Sequence, residues 1–94
     1  MATYFMFGKY SAGAIAEISA ERTETAVALV KKYGGDVKSG YALLGEYDLV
    51  LIVELPDIGQ AMKTSVALTK LTGIAFRTAP AVTVEALDKM MEEV

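Results

Sequence analysis

Residues 3–10, Thr-Tyr-Phe-Met-Phe-Gly-Lys-Tyr, run apolar and aromatic without a regular polar beat. Such a run suits a strand covered on both sides better than one with a wet face. Residues 11–18, small around Gly13, predict a turn or a short helical stretch, and Ser19 then stands as an N-cap with Glu21 in the acid-favouring first turn. Ala26, Val27, Leu29, Val30 and Tyr33 recur at three- and four-residue steps, the mark of an amphipathic helix. Lys31 and Lys32 suit the negative end of its dipole, and Gly34-Gly35 supply a left-handed stop. Two strands follow, residues 36–44 and 47–55, folded as a hairpin about Gly45-Glu46. Pro56 ends the second, and Asp57 caps a helix with Ile58, Ala61, Met62, Ser65, Val66 and Thr69 on one stripe, stopped by Gly73. Residues 74–79 alternate as a fourth strand closed by Pro80, and residues 83–94 form a last helix carrying Val84, Leu87, Met90 and Met91. Glu92 and Glu93 oppose the dipole at its end, which predicts fraying there.

The order βαββαβ is the split βαβ arrangement, so the expected class is α+β and ferredoxin-like. Right-handed crossovers place both main helices on one face of a four-stranded antiparallel sheet, with the first and third strands in the middle. The other face needs a cover if it is apolar. In the third strand Leu49, Leu51 and Val53 point one way and Val50 and Ile52 the other; in the first, Phe5 and Phe7 take one side and Tyr4 and Met6 the other. Assigning Tyr4, Met6, Val50 and Ile52 to the helix-free face gives about 6–12 kcal/mol of burial to whatever covers it, comparable with the roughly 5–10 kcal/mol net stability of a small domain. The C-terminal helix could fold across the sheet, yet it would span only about half its width. A second copy stacked sheet to sheet is the fuller cover, and a homodimer or higher oligomer is the expectation.

Composition narrows the chemistry. The 94 residues make one domain, 1–94, and 53% hydrophobic content places it far from disorder. Cys, His and Trp are absent, which removes disulfides, thiol and His catalysis, and the usual zinc sites; no metal and no cofactor are expected. Nine basic against twelve acidic residues, a net charge of −3, argue against a nucleic-acid partner. The N-terminus has no basic signal-peptide region and no apolar run is long enough to span a membrane, so a cytoplasmic protein with no membrane partner is expected.

Tyr41-Ala42-Leu43-Leu44, Gly45-Glu46-Tyr47-Asp48-Leu49-Val50-Leu51 and Glu54-Leu55-Pro56-Asp57, with Gly8-Lys9-Tyr10, Ala61-Met62 and Phe76-Arg77-Thr78, resemble the GYD-domain family of small bacterial proteins, grouped with the dimeric α/β barrels. The hairpin and following strand are also similar to the small-molecule-binding domain of leucine-responsive regulators, although no helix-turn-helix precedes them here and a DNA-binding regulator is not expected. The resemblance implies the fold and sheet-to-sheet dimerisation. Relatives by fold include cofactor-free monooxygenases and lactone isomerases, a weak warrant for chemistry.

The polar residues divide between two readings. Gly45 suits a positive φ in the hairpin, while Tyr47 and Asp48 either bond and pack at the turn or rim a ligand cleft. Lys9 and Asp48 should lie close enough to pair. Glu54 shares a face with Val50 and Ile52, so its carboxylate needs a cation, and Arg77 is the expected partner. The pair is either a structural salt bridge or an anion site with Tyr4 or Tyr10 as hydroxyl donors. Arg22 is expected to be solvated. The ligand-binding candidates are therefore Tyr10, Tyr47, Asp48, Glu54 and Arg77, with no catalytic residue assigned. The leading expectation is a small homo-oligomeric binding or structural module with a cleft for a small apolar or anionic molecule; the alternative is a cofactor-free enzyme acting on small aromatic or lactone substrates.

Overall fold

Ser19 and Asp57, the caps read from the sequence, start the two long helices where they stand, and Ser11 and Thr83 do the same for the two shorter ones. In a computed structural model describing residues 1–94, the elements run β1 (Ala2–Tyr10), α1 (Ala12–Ala16), α2 (Ala20–Lys32), β2 (Asp36–Ala42), β3 (Leu49–Leu55), α3 (Ile58–Thr72), β4 (Ile74–Ala81) and α4 (Val84–Met91). Ser11, Ser19, Asp57 and Thr83 each accept a backbone N–H from the first turn of the following helix, satisfying donors the helix cannot. Gly73 ends α3 at φ +74°, and Gly45 takes φ +135° in the hairpin, both in the region a side chain disfavours.

The sheet is antiparallel throughout, in the order β2-β3-β1-β4. This is the ferredoxin-like α+β arrangement. Pro80 lies inside β4, opposite Tyr4, instead of closing it. Since β4 is an edge strand, the missing N–H is tolerated there.

Register decides which side chains face the helices. Tyr4 lies opposite Val53 and Met6 opposite Leu51, and residues directly opposite share a face. Tyr4 and Met6 are 4% and 0% exposed and pack in one cluster with Val30, Val53, Leu55, Ala61 and Leu68. Their expected place on the helix-free face is therefore corrected: Phe5, opposite Ile52, and Phe7, opposite Val50, stand there instead. The sequence pattern admits both settings because β1 is apolar on both sides, and a one-residue slip exchanges the faces. Val50 and Ile52 do lie on the helix-free side.

The tail does not roof that side. α4 has no buried residue and packs substantially on no other element, and the molecule is drawn out to 49 Å along its longest axis. No helix is long and apolar enough to cross a membrane.

Close packing on the helix side leaves little tolerance. A Cβ at Gly35 would run into the backbone oxygen of Glu54 and the side chain of Leu55, so the α2–β2 connection can pass β3 only without a side chain. Met6→Ala is expected to lower the unfolding free energy by about 2–5 kcal/mol, through lost burial and the cavity left behind. A urea titration with an unchanged midpoint would contradict the place given to Met6.

Candidate functional site

Two surfaces carry the residues with functional potential, and the central strands separate them. On the helix-free face, Phe5 and Phe7 have ring centroids 6.3 Å apart, and Tyr47 continues the row at 5.2 Å from Phe7. Such tilted aromatic contacts bury area and add a geometric preference of their own. Val50 and Ile52 flank the row on β3, with Tyr41 opposite Val50 on β2 and Ala79 opposite Phe5 on β4. The polar groups lie outward: Arg77 on the β4 edge opposite Phe7, and a Lys38–Glu54 ion pair of 2.9 Å near the β2 edge. An apolar centre with aromatics, bounded by charge, has the anatomy of a protein interface.

The ion pair differs from the one expected. A bulge in β2 between Val37 and Ser39 brings Lys38 onto Glu54. Arg77 lies opposite Phe7 and Glu54 opposite Thr3, about 13 Å apart along β1. The expected Glu54–Arg77 pairing is thus not formed. Hydrogen bonding and charge attraction from Glu54 raise the Lys38 pKa above the usual lysine value. A raised lysine pKa means the contribution is complete below the ordinary lysine range and is lost only as pH climbs through the folded-state value.

On the opposite side, α2 spans one end of the sheet and leaves a cleft of about 250 Å³, mostly apolar in its lining. Leu49, Leu51, Ile74 and Phe76 form the sheet wall, Ala26 and Val27 the helix wall. Tyr10 and Arg22 stand among its polar residues. The Arg22 guanidinium donates to the backbone oxygen of Ala14 and lies 5.5 Å from the centre of the Tyr10 ring. Arg22 is therefore half-buried instead of solvated, and it ties α1 to α2. Its position on the polar side of an amphipathic pattern hid this role, which depends on α1 folding back beside it.

Asp48 links the two surfaces. Its carboxylate accepts the Tyr10 backbone N–H at 2.9 Å, and its own N–H donates to the Gly8 oxygen at 2.9 Å. The hairpin end is thereby fastened to β1 beyond the last ladder pair. Lys9 donates to the Glu46 backbone oxygen at 3.1 Å and forms no ion pair with Asp48. Of the five ligand-binding candidates, Tyr10 lines the cleft, Asp48 holds the strand beneath it, and Tyr47, Glu54 and Arg77 belong to the opposite face. No group of three or more acidic residues is placed to hold a metal ion.

An α+β sheet with one helical layer, an open aromatic face and a cleft under α2 defines the class of small ferredoxin-like domains. The GYD-domain profile matches residues 4–91, and the chain belongs to that family. Among curated proteins none matches it significantly. Its fold is similar to that of a solved structure titled FFRP-DM1, at 26% identity and a TM-score of 0.63, over 87% of this chain and 100% of that one. It is also similar to the leucine response regulatory protein LrpA of Mycobacterium tuberculosis (13% identity, TM-score 0.59, 88% of this chain and 51% of that one). An AsnC family transcriptional regulator from Agrobacterium tumefaciens matches at 20% identity and a TM-score of 0.58, over 87% of this chain and 50% of that one. The chain thus spans about half the length of those two regulators, and the likeness to them is one of fold.

Asp48→Ala leaves the Tyr10 N–H without its charged acceptor and is expected to cost about 1–2 kcal/mol of stability. Chemical denaturation showing no loss would contradict the fastening role of the carboxylate.

Proposed function

We propose that the chain is a small-molecule-binding module that works as a self-associated pair, two copies stacked through their helix-free sheet faces. The observation that carries this reading is the row Phe5, Phe7 and Ile52, apolar, only half-buried, and lying on the face that no helix of its own chain covers. Completing the burial of these three would contribute roughly 3–5 kcal/mol per copy before the costs of association. An excess of acidic over basic residues, net −3, favours self and a small molecule over nucleic acid as partners.

The cleft beneath α2 is the ligand site of the pair. Its wall is apolar, and Arg22 spends one donor on Ala14 while a guanidinium has five N–H groups. A small apolar molecule bearing a carboxylate fits that combination, its body against Leu49, Leu51 and Phe76 and its acid toward Arg22. No group positioned for proton transfer is needed for this role.

Sedimentation at micromolar concentration is expected to give a species of twice the 10.0 kDa chain mass, and Ala79→Glu, which puts a charge at an exposed place on the open face, is expected to return it to the single-chain mass. A wild-type chain that stays single would overturn the pairing. In a thermal-shift panel of aliphatic and aromatic carboxylates, a ligand at ten times its Kd stabilises by about 1.4 kcal/mol, a rise of roughly 6–11 °C for a domain of this size. The rise should vanish in Arg22→Gln. An equal rise in that variant would remove Arg22 from the site.

A further inference from the structure

α3 and α4 each present an apolar stripe that the chain leaves without a partner. On α3, Ile58, Met62 and Val66 are 63%, 65% and 57% exposed, although i, i+4, i+8 spacing places them on one helix face. Beside that stripe a groove of about 290 Å³ opens between α3 and β4, floored by Tyr4, Ala61 and Thr78 and ending at Pro80. On α4, Val84, Leu87 and Met91 lie along one face, with Met90 and Val94 adjoining, and all five are exposed.

We propose that α4 of one chain docks in the α3–β4 groove of a second copy. The two stripes match in length: the seven steps from Val84 to Met91 rise about 10.5 Å, and the eight from Ile58 to Val66 about 12 Å. They also match in charge. α3 carries Lys63 and Lys70 and no acidic residue, whereas Glu85 and Asp88 lie on α4 and Glu92 and Glu93 just beyond it, against the single cation Lys89. An acidic helix laid along a cationic one is attracted at its rim while its apolar face fills the groove.

The chain's own groove is a poor destination for α4. Only Val82 and Thr83 separate β4 from α4, and α4 buries no residue and packs substantially on no other element of its chain. In its own chain α4 leaves the groove unfilled, since it packs substantially on neither α3 nor β4. A second copy meets α4 where it already projects. This docking goes beyond sheet stacking and uses a different surface; exchanged between two chains it closes on itself, as a two-fold contact does.

The absence of cysteine gives a clean background for the test. Leu87 and Met62 lie midway along their stripes, so they meet whether the helices run parallel or antiparallel. Full-length Leu87→Cys and Met62→Cys chains, tagged to differ in size, are mixed under mild oxidation. The expected result is a mixed disulfide forming several-fold faster than between Met62→Cys and the fully exposed control Leu44→Cys, and suppressed when Val66→Glu is added to the Met62→Cys chain. A mixed rate equal to the control would overturn the docking, as would an internal disulfide in a chain bearing both cysteines while the mixture stays unlinked. Sedimentation separates this from sheet stacking: a pair in solution whose mixed disulfide forms no faster than the control overturns the docking and leaves the stacking standing, and a fast cross-link that survives in Ala79→Glu chains supports docking that needs no stacking.

Discussion

A sheet with a single layer of helices can bury only one of its faces, and here the two central strands are apolar on both. Tyr4, Met6, Leu51 and Val53 meet α2 and α3, while Phe5, Phe7, Val50 and Ile52 point away from them. The first set makes the core that lets 94 residues fold. The second lies outside that cluster, and apart from Val50 its members are only half-buried, whereas one-sided antiparallel sheets ordinarily carry polar residues at such places. Apolar side chains on the outer face are therefore intelligible as an interface, with Arg77 and the Lys38–Glu54 pair at its margin.

The same strands also shape the cleft. β1 turns away after Tyr10, and the Asp48 carboxylate fixes that end by holding the Tyr10 N–H. Tyr47, one residue earlier, stacks on Phe7 across the open face. Neighbouring residues of one hairpin thus touch the open face and the strand end that lines the cleft.

Much of the fold was legible in the sequence, because caps, stops and hairpin glycine act locally. Ser19, Asp57 and Gly73 mark their helices, and βαββαβ order with right-handed crossovers leaves β1 and β3 in the centre. What escaped it was register. An amphipathic strand reveals its inner face by alternation, but β1 is apolar on both sides, so Tyr4 and Met6 exchange with Phe5 and Phe7 at no cost in pattern. The candidate site suffered from the same blindness: pairing Glu54 with Arg77 required knowing how β4 and β2 lie against the central strands, and the β2 bulge that delivers Lys38 leaves no mark in composition. Arg22 escaped notice because its partners, Ala14 and Tyr10, lie 8 and 12 positions before it in the chain and come together only when α1 folds.

Whether a second copy covers the helix-free face can be read from hydroxyl-radical footprinting of Phe5 and Phe7. Across a dilution series, labelling of both rings is expected to rise as the protein is diluted through its dissociation range, while Met6 stays protected throughout. Equal labelling of the two rings at every concentration would contradict it.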